Sequence, residues 1–164
     1  VHIRSAALTD LPAITAIYRD AVLYGTATFE LDPPDLAEMT RRFEVLTKGG
    51  FPYLVAIRED VVVGYAYASK WKGRSAYRYS VESTVYVDPT HTSRGIGQLL
   101  YRALLAAIRA RSMHTIIGGI ALPNPSSVAL HERLGFKKVA HFKQVGYKKD
   151  QWIDVGYWQL LLNS

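Results

Sequence analysis

The residue hardest to explain as packing is Glu82. It stands in Tyr79–Val87, a run rich in β-branched and aromatic residues that alternates as a strand does, with Val81, Ser83, Val85 and Val87 on one face and Glu82, Thr84 and Tyr86 on the other. Carboxylates are disfavoured within such strands, so Glu82 reads either as a general base or as half of a salt bridge to a nearby arginine. His131 is a second candidate: an imidazole there gives or takes a proton near neutral pH, or it fills a helix–sheet interface. A third is the glycine pair Gly95 and Gly97, directly after Ser93 and Arg94. Backbone N–H groups bared by glycine, with a hydroxyl and a cation beside them, suit a phosphate; the plainer alternative is a tight turn.

The surrounding elements decide how far each reading goes. The strand stops at Asp88-Pro89, where proline cannot donate to a ladder, and after the glycines Leu99, Leu100, Ala103, Leu104, Ala107 and Ile108 recur at helical period. Strand, glycine turn and helix start therefore aim free N–H groups and the positive end of a helix dipole at one point. Two other phosphate loops do not fit. No lysine follows Gly97 as a nucleoside-triphosphate loop requires, and the third glycine and acidic residue of a dinucleotide fold are not in place.

Ahead of this centre the sequence predicts a strand at His2–Arg4, a helix capped by Thr9 and running through Val22, and a loop at Thr26–Glu30. A second helix is started by Asp32-Pro33-Pro34 and closed by Gly49-Gly50, and two strands, Tyr53–Arg58 and Val61–Ser69, form a hairpin across Glu59-Asp60. Beyond the centre come a strand at His114–Ala121, a short helix from Asn124-Pro125 to Gly135, and closing strands around Val139–Tyr147 and Ile153–Leu162. The order β-α-α-β-β-β-α-β-α-β-β predicts an α/β (α+β) fold, a mixed and mostly antiparallel sheet of about seven strands flanked by helices.

The 164 residues suit one domain over 1–164, large enough to bury roughly two thirds of its unfolded surface. Hydrophobic residues at 49% with no 18-residue apolar run predict a soluble chain without a membrane partner, and no secretory leader is read. The absence of cysteine excludes disulfides, thiolate metal sites and a cysteine nucleophile, and agrees with a cytoplasmic location. A net charge of +6 favours anionic partners, but the basic residues fall in short pairs such as Arg41-Arg42, Lys137-Lys138 and Lys148-Lys149, so no nucleic-acid stripe is seen.

The turn Thr92-Ser93-Arg94-Gly95-Ile96-Gly97 resembles the coenzyme A pyrophosphate loop of the GNAT N-acetyltransferases, Gln/Arg-x-x-Gly-x-Gly/Ala between a strand and a helix, with Thr92 departing at the first position. Asn124–Phe136 resembles the family's later motif, in which an Asn opens a helix that ends in Leu-Gly-Phe. A closer resemblance, to the phosphinothricin and methionine sulfoximine acetyltransferase branch, is carried by Thr26–Glu30, Glu82–Val87, Leu130-His131-Glu132 and Val155–Leu160.

The resemblance implies transfer of acetyl from acetyl-CoA to the α-amine of a small amino-acid analogue, without a metal. It implies that the backbone of Val85, Tyr86 and Val87 pairs with pantetheine, that Ser93, Arg94, Gly95, Ile96, Gly97 and Gln98 hold the pyrophosphate, and that Asn124 holds the pantetheine arm. Glu82 would be the base, and His131 stands where many relatives place a tyrosine proton donor, so it either protonates the thiolate or shares the base role. Arg74, Ser75, Ala76 and Tyr77 are expected to bind the acceptor's carboxylate, with Phe29 and Glu30 walling the pocket; the other reading of Lys72, Arg74 and Arg78 is a solvated basic loop. Relatives in this branch pair, so Trp152, Tyr157 and Trp158 pack either a homodimer or the core. The competing functions are acetylation of another amine, such as an antibiotic, a polyamine or a protein N-terminus, and a non-catalytic acyl-CoA-binding domain, against which the presence of both Glu82 and His131 argues.

Overall fold

The computed structural model describes residues 1–92 and 95–162. In chain order these form β1 (His2–Ser5), α1 (Leu11–Tyr24), α2 (Leu36–Lys48), β2 (Tyr53–Arg58), β3 (Val61–Lys70), β4 (Ser80–Val87), α3 (Ile96–Arg109), β5 (Thr115–Leu122), α4 (Pro125–Arg133), β6 (Lys137–Lys148) and β7 (Gln151–Leu161). The seven strands make one sheet in the order β1-β2-β3-β4-β5-β7-β6, antiparallel except where β4 meets β5. The expected fold class is the observed one.

Period-two alternation divides the sheet's residues between two apolar clusters. Val81 of β4 and Ile116 of β5 pack beneath α3 with Leu100, Leu104 and Ile108, joined by Leu130 and Leu134 around α4. On the other face, Tyr53, Val55 and Tyr65 of β2 and β3 pack against Leu11, Ile14 and Tyr18 of α1 and against Met39 and Phe43 of α2. This second cluster draws on no residue of β5, β6 or β7.

Two helix starts differ from the sequence reading. Thr9 lies inside a 3₁₀ turn, Leu8–Asp10, and it is the Asp10 carboxylate that ties the entry to α1, accepting from Ala7 N–H at 2.8 Å and from both Arg4 terminal nitrogens at 2.8 and 2.9 Å. Helix α2 is capped by Asp35, which accepts from Glu38 N–H at 2.9 Å; Asp32-Pro33-Pro34 precedes it as a bend and irregular chain. At both starts several oxygen-bearing side chains compete locally to cap, and at α1 the Arg4 guanidinium favours Asp10.

Candidate active site

The site begins where two strands part. Parallel pairing of β4 with β5 covers only Ser80↔Thr115, Val81↔Ile116 and Glu82↔Ile117, although β4 continues to Val87 and β5 to Leu122. Past Glu82, β4 therefore has a partner on one side only, β3. The bonds Asp88 N–H to Val63 O at 2.8 Å and Trp71 N–H to Ser80 O at 3.4 Å fix the phase of the β3–β4 ladder. Antiparallel bonding alternates, so Glu82, Thr84 and Tyr86 turn their backbone groups to β3, whereas Val85 and Val87 turn theirs to the open side. Tyr86 is the exception to the expected trio: its ring packs against Tyr18 and Tyr65, each 5.5 Å away between centroids, and its amide serves the sheet.

The parted strands enclose a cavity of about 440 Å³, lined by β4 from Glu82 to Val87, by β5 from Gly119 to Ala121, and by Gly97, Tyr101, Asn124 and His131 from the helices. Gly95 sits at φ 74°, a conformation natural to glycine, and forms the N-cap of α3. The first intrahelical bond there is Leu99 N–H to Gly95 O at 3.1 Å, so the amides of Ile96, Gly97 and Gln98 project from the helix start. Gly97 contributes space: an added Cβ would meet only Leu130 and Val87, at 3.7 and 3.8 Å, inside the cavity wall. Asn124 uses Oδ1 to cap α4 through Ser127 N–H at 3.2 Å, which leaves its Nδ2 as a donor at the wall.

Within that wall runs a largely buried chain of hydrogen bonds. The His131 Nδ1 lies 2.7 Å from the Ser127 carbonyl oxygen, so Nδ1 carries the proton and Nε2 is the acceptor. Tyr101 Oη donates to Nε2 at 2.8 Å and receives the Ser83 hydroxyl at 2.5 Å. Donation thus runs from Ser83 through Tyr101 and His131 to Ser127. Burial lowers the His131 pKa below its ordinary value, outweighing the Ser127 contact that raises it, and burial pushes the Tyr101 phenol well up. Both groups are neutral in this setting. Gly118 makes room for the chain, since a Cβ there would stand 2.7 Å from His131 Nε2.

Glu82 stands on the opposite face of the sheet, with Thr84 and Tyr86, at the other side of the same opening. Among the described residues it forms no salt bridge. Burial raises its pKa, and the charge of Lys72 only partly offsets that. A carboxylate that binds its proton more tightly than usual is a stronger base. His131 lines the same opening from the helix side.

This geometry agrees with what the chain resembles. Residues 3–156 match the acetyltransferase (GNAT) domain. The chain belongs to the GNAT acetyltransferase family. It is 41% identical over 156 residues to the phosphinothricin N-acetyltransferase of Alcaligenes faecalis, covering 94% of this chain and 79% of that protein. It is 38% identical over 162 residues to the L-methionine sulfoximine/L-methionine sulfone acetyltransferase of Pseudomonas aeruginosa, covering 98% and 94%. The crystal structure of a phosphinothricin acetyltransferase from Sinorhizobium meliloti in complex with AcCoA superposes with a TM-score of 0.97 at 42% identity, over 99% of this chain and 88% of that one.

Other residues expected of a GNAT acetyltransferase site lie away from the main cavity or outside the described residues. Ser93 and Arg94, expected at the pyrophosphate, lie outside the described residues. Arg74, Ser75, Ala76 and Tyr77 do not reach the main cavity; they form a 3₁₀ turn beside a separate hollow of about 190 Å³, shared with Lys70, Lys72 and Arg78. Glu30 is not among the residues lining the main cavity either. Its carboxylate accepts from Arg42 at 2.6 and 3.1 Å and from the Tyr18 hydroxyl at 2.5 Å, and Arg42 holds its pKa down. Phe29 lies against Gly146 of β6, and Lys148 Nζ donates to Thr28 O at 2.8 Å, so this loop is strapped onto β6 and only Ala27 of it touches the cavity. Trp158 is a core residue, 2% exposed, whereas Trp152 is 63% exposed. Tyr101 and Ser83 escaped the sequence reading. Their signal was a tyrosine on the apolar stripe of α3, whose hydroxyl must find a partner.

Proposed function

We propose that this protein transfers the acetyl group of acetyl-CoA to the α-amine of a small amino-acid analogue of the phosphinothricin or methionine sulfoximine kind. The observation that carries this reading is the parting of β4 and β5, with backbone groups of Val85 and Val87 turned into it, the amides of the α3 start at one end and Glu82 at the other. An amide-bearing arm can pair along Val85 and Val87 as a partial strand, Asn124 Nδ2 can donate to it, and the bared helix start can receive a pyrophosphate. Acetyl-CoA supplies an activated acyl carbon and a thiolate leaving group.

The chain's own residues supply the rest. Glu82 accepts a proton from the acceptor's ammonium group and frees the nitrogen lone pair. The Val85 N–H, first of the open backbone donors beyond Glu82, is aimed where a carbonyl oxygen gains charge as the C–N bond forms. The C–S bond then breaks, sulfur keeps the electron pair, and the second proton lost by nitrogen ends on sulfur. We assign His131, working through the Tyr101 hydroxyl, to that second transfer. The resemblance further supports one domain over the whole chain, a homodimer and a cytoplasmic location.

Coenzyme A release tests this, measured with L-phosphinothricin, methionine sulfoximine, methionine sulfone and the ordinary amino acids. Release with the tetrahedral analogues that is lost in Glu82→Gln supports the reading. Acetyl-CoA binding without release on any of them overturns it in favour of another acceptor.

A further inference from the structure

Gly119 occupies β5, the fifth of seven strands, and yet it is exposed to solvent. Helices α1 and α2 cover this face over β2–β4 only, so a well remains in the sheet with Gly119 as its floor. Its rim is chemically distinctive. On one side is Glu82, and on the other Tyr157 of β7, which is paired with Gly119 across the ladder. A Cβ added at Gly119 would stand 3.1 Å from Tyr157 Cε1 and 3.7 Å from Glu82 Oε2. The space that the glycine leaves is thus about one carbon wide, between an aromatic ring and the proposed base.

Tyr157 is held in that position by rings on both sides. Trp71, at the end of β3, meets it edge to face at 5.6 Å, and Phe142 of β6 does so at 5.9 Å. Phe142 is 52% exposed, so this aromatic wall is open to solvent instead of buried under a helix. Burial raises the Tyr157 pKa and the Glu82 charge raises it further. The phenol is neutral, and the face and edge of its ring are what it offers an incoming group.

We propose that Gly119 and Tyr157 decide which amines reach Glu82. This rests on the acetyl-transfer reading above. The berth over Gly119 takes the acceptor's amino group and α-carbon, and the Tyr157 ring, braced by Trp71 and Phe142, closes around them. Acceptors are primary amines on a singly substituted α-carbon; an N-methyl or an α-methyl group meets the ring. Specificity at the amine is therefore set by the sheet floor, separately from the loops that meet the acceptor's side chain.

The test measures coenzyme A release with methionine sulfone, its N-methyl derivative and its α-methyl derivative, on the full chain and on Gly119→Ala, Tyr157→Phe and Tyr157→Ala. The dissociation constant for acetyl-CoA is measured on each. The original protein prefers the unmethylated acceptor by ~10-fold or more, the discrimination one methyl group commonly gives. Gly119→Ala lowers kcat/KM for methionine sulfone by ~10-fold or more, a loss larger than any change in its acetyl-CoA dissociation constant. Tyr157→Ala narrows the preference against the methylated acceptors, and Tyr157→Phe keeps it, because the ring and not the hydroxyl forms the wall. Equal use of the methylated acceptors by the original protein, or an unchanged preference in Tyr157→Ala, overturns the proposal while leaving acetyl transfer standing. No release from any of these amines by the original protein overturns both.

Discussion

Burial moves Glu82 and His131 in opposite directions, and each shift leaves its own mark on stability. The Glu82 pKa is raised, so between 4.5 and its folded value the native state holds the extra proton and stability falls as pH rises through that window. Above the window the fold carries a desolvated carboxylate. Replacement by Gln is expected to lower kcat/KM by ~10²–10⁴-fold, the usual contribution of a general base. The same variant is expected to melt at or above the original temperature at pH 8, with the difference shrinking towards pH 4.5, as thermal scans at the two pH values will show. For His131 the sign reverses. Its folded pKa lies below 6.5, so the stability of the neutral imidazole is present above 6.5 and is lost as pH falls through the folded value. Tyr101→Phe removes the hydroxyl that joins Ser83 to His131 and strands both partners, at a cost of ~1–3 kcal/mol by denaturant titration. It also removes a donor that favours neutral imidazole, so the His131 resonances are expected to titrate at higher pH than in the original protein.

At the scale of the element, most of what the chain would become was already written in its periodicity and its turns. Alternation in β4 separated Glu82 from Ser83 and Val85 correctly, and the glycine turn led into α3 where it was expected. The signals that leave a choice open are those in which one residue type has several uses. An arginine in a basic loop looks the same whether it faces a substrate or water, and Arg74 belongs to a side hollow; a carboxylate in an aromatic loop looks the same whether it lines a pocket or meets an arginine, and Glu30 meets Arg42. Which face of the sheet each helix would cover was not written locally either, so the approach of Glu82 and His131 to one opening from opposite faces could not be foreseen. Asn124 shows one residue carrying two uses at once, and its two atoms can be separated by substitution. Asn124→Asp keeps the oxygen that caps α4 and removes the Nδ2 donor, so it is expected to melt near the original temperature while binding acetyl-CoA more weakly. Asn124→Ala loses the cap as well, ~1 kcal/mol by denaturant titration.

Across the whole molecule, the two halves of the sheet are joined at its middle by only three parallel register pairs, and the cavity lies where that joint opens. A ligand seated there touches both halves. Acetyl-CoA at a hundred times its dissociation constant is expected to add ~2.7 kcal/mol to the unfolding free energy, read as a rise in melting temperature. Amide exchange gives a finer reading: Val85 and Val87 should slow on binding, whereas Tyr86, already bonded to β3, should not change. The orientation of those two residues reaches beyond one reaction. The side chains of Val85 and Val87 pack against the cluster beneath α3, while their peptide groups face the opening. A point mutation rewrites a side chain and leaves the peptide group as it was, proline alone excepted. The part of the grip on the cofactor's arm that we assign to this backbone therefore has no codon of its own, unlike the part assigned to Asn124, and a lineage can drift among apolar residues at 85 and 87 without losing it.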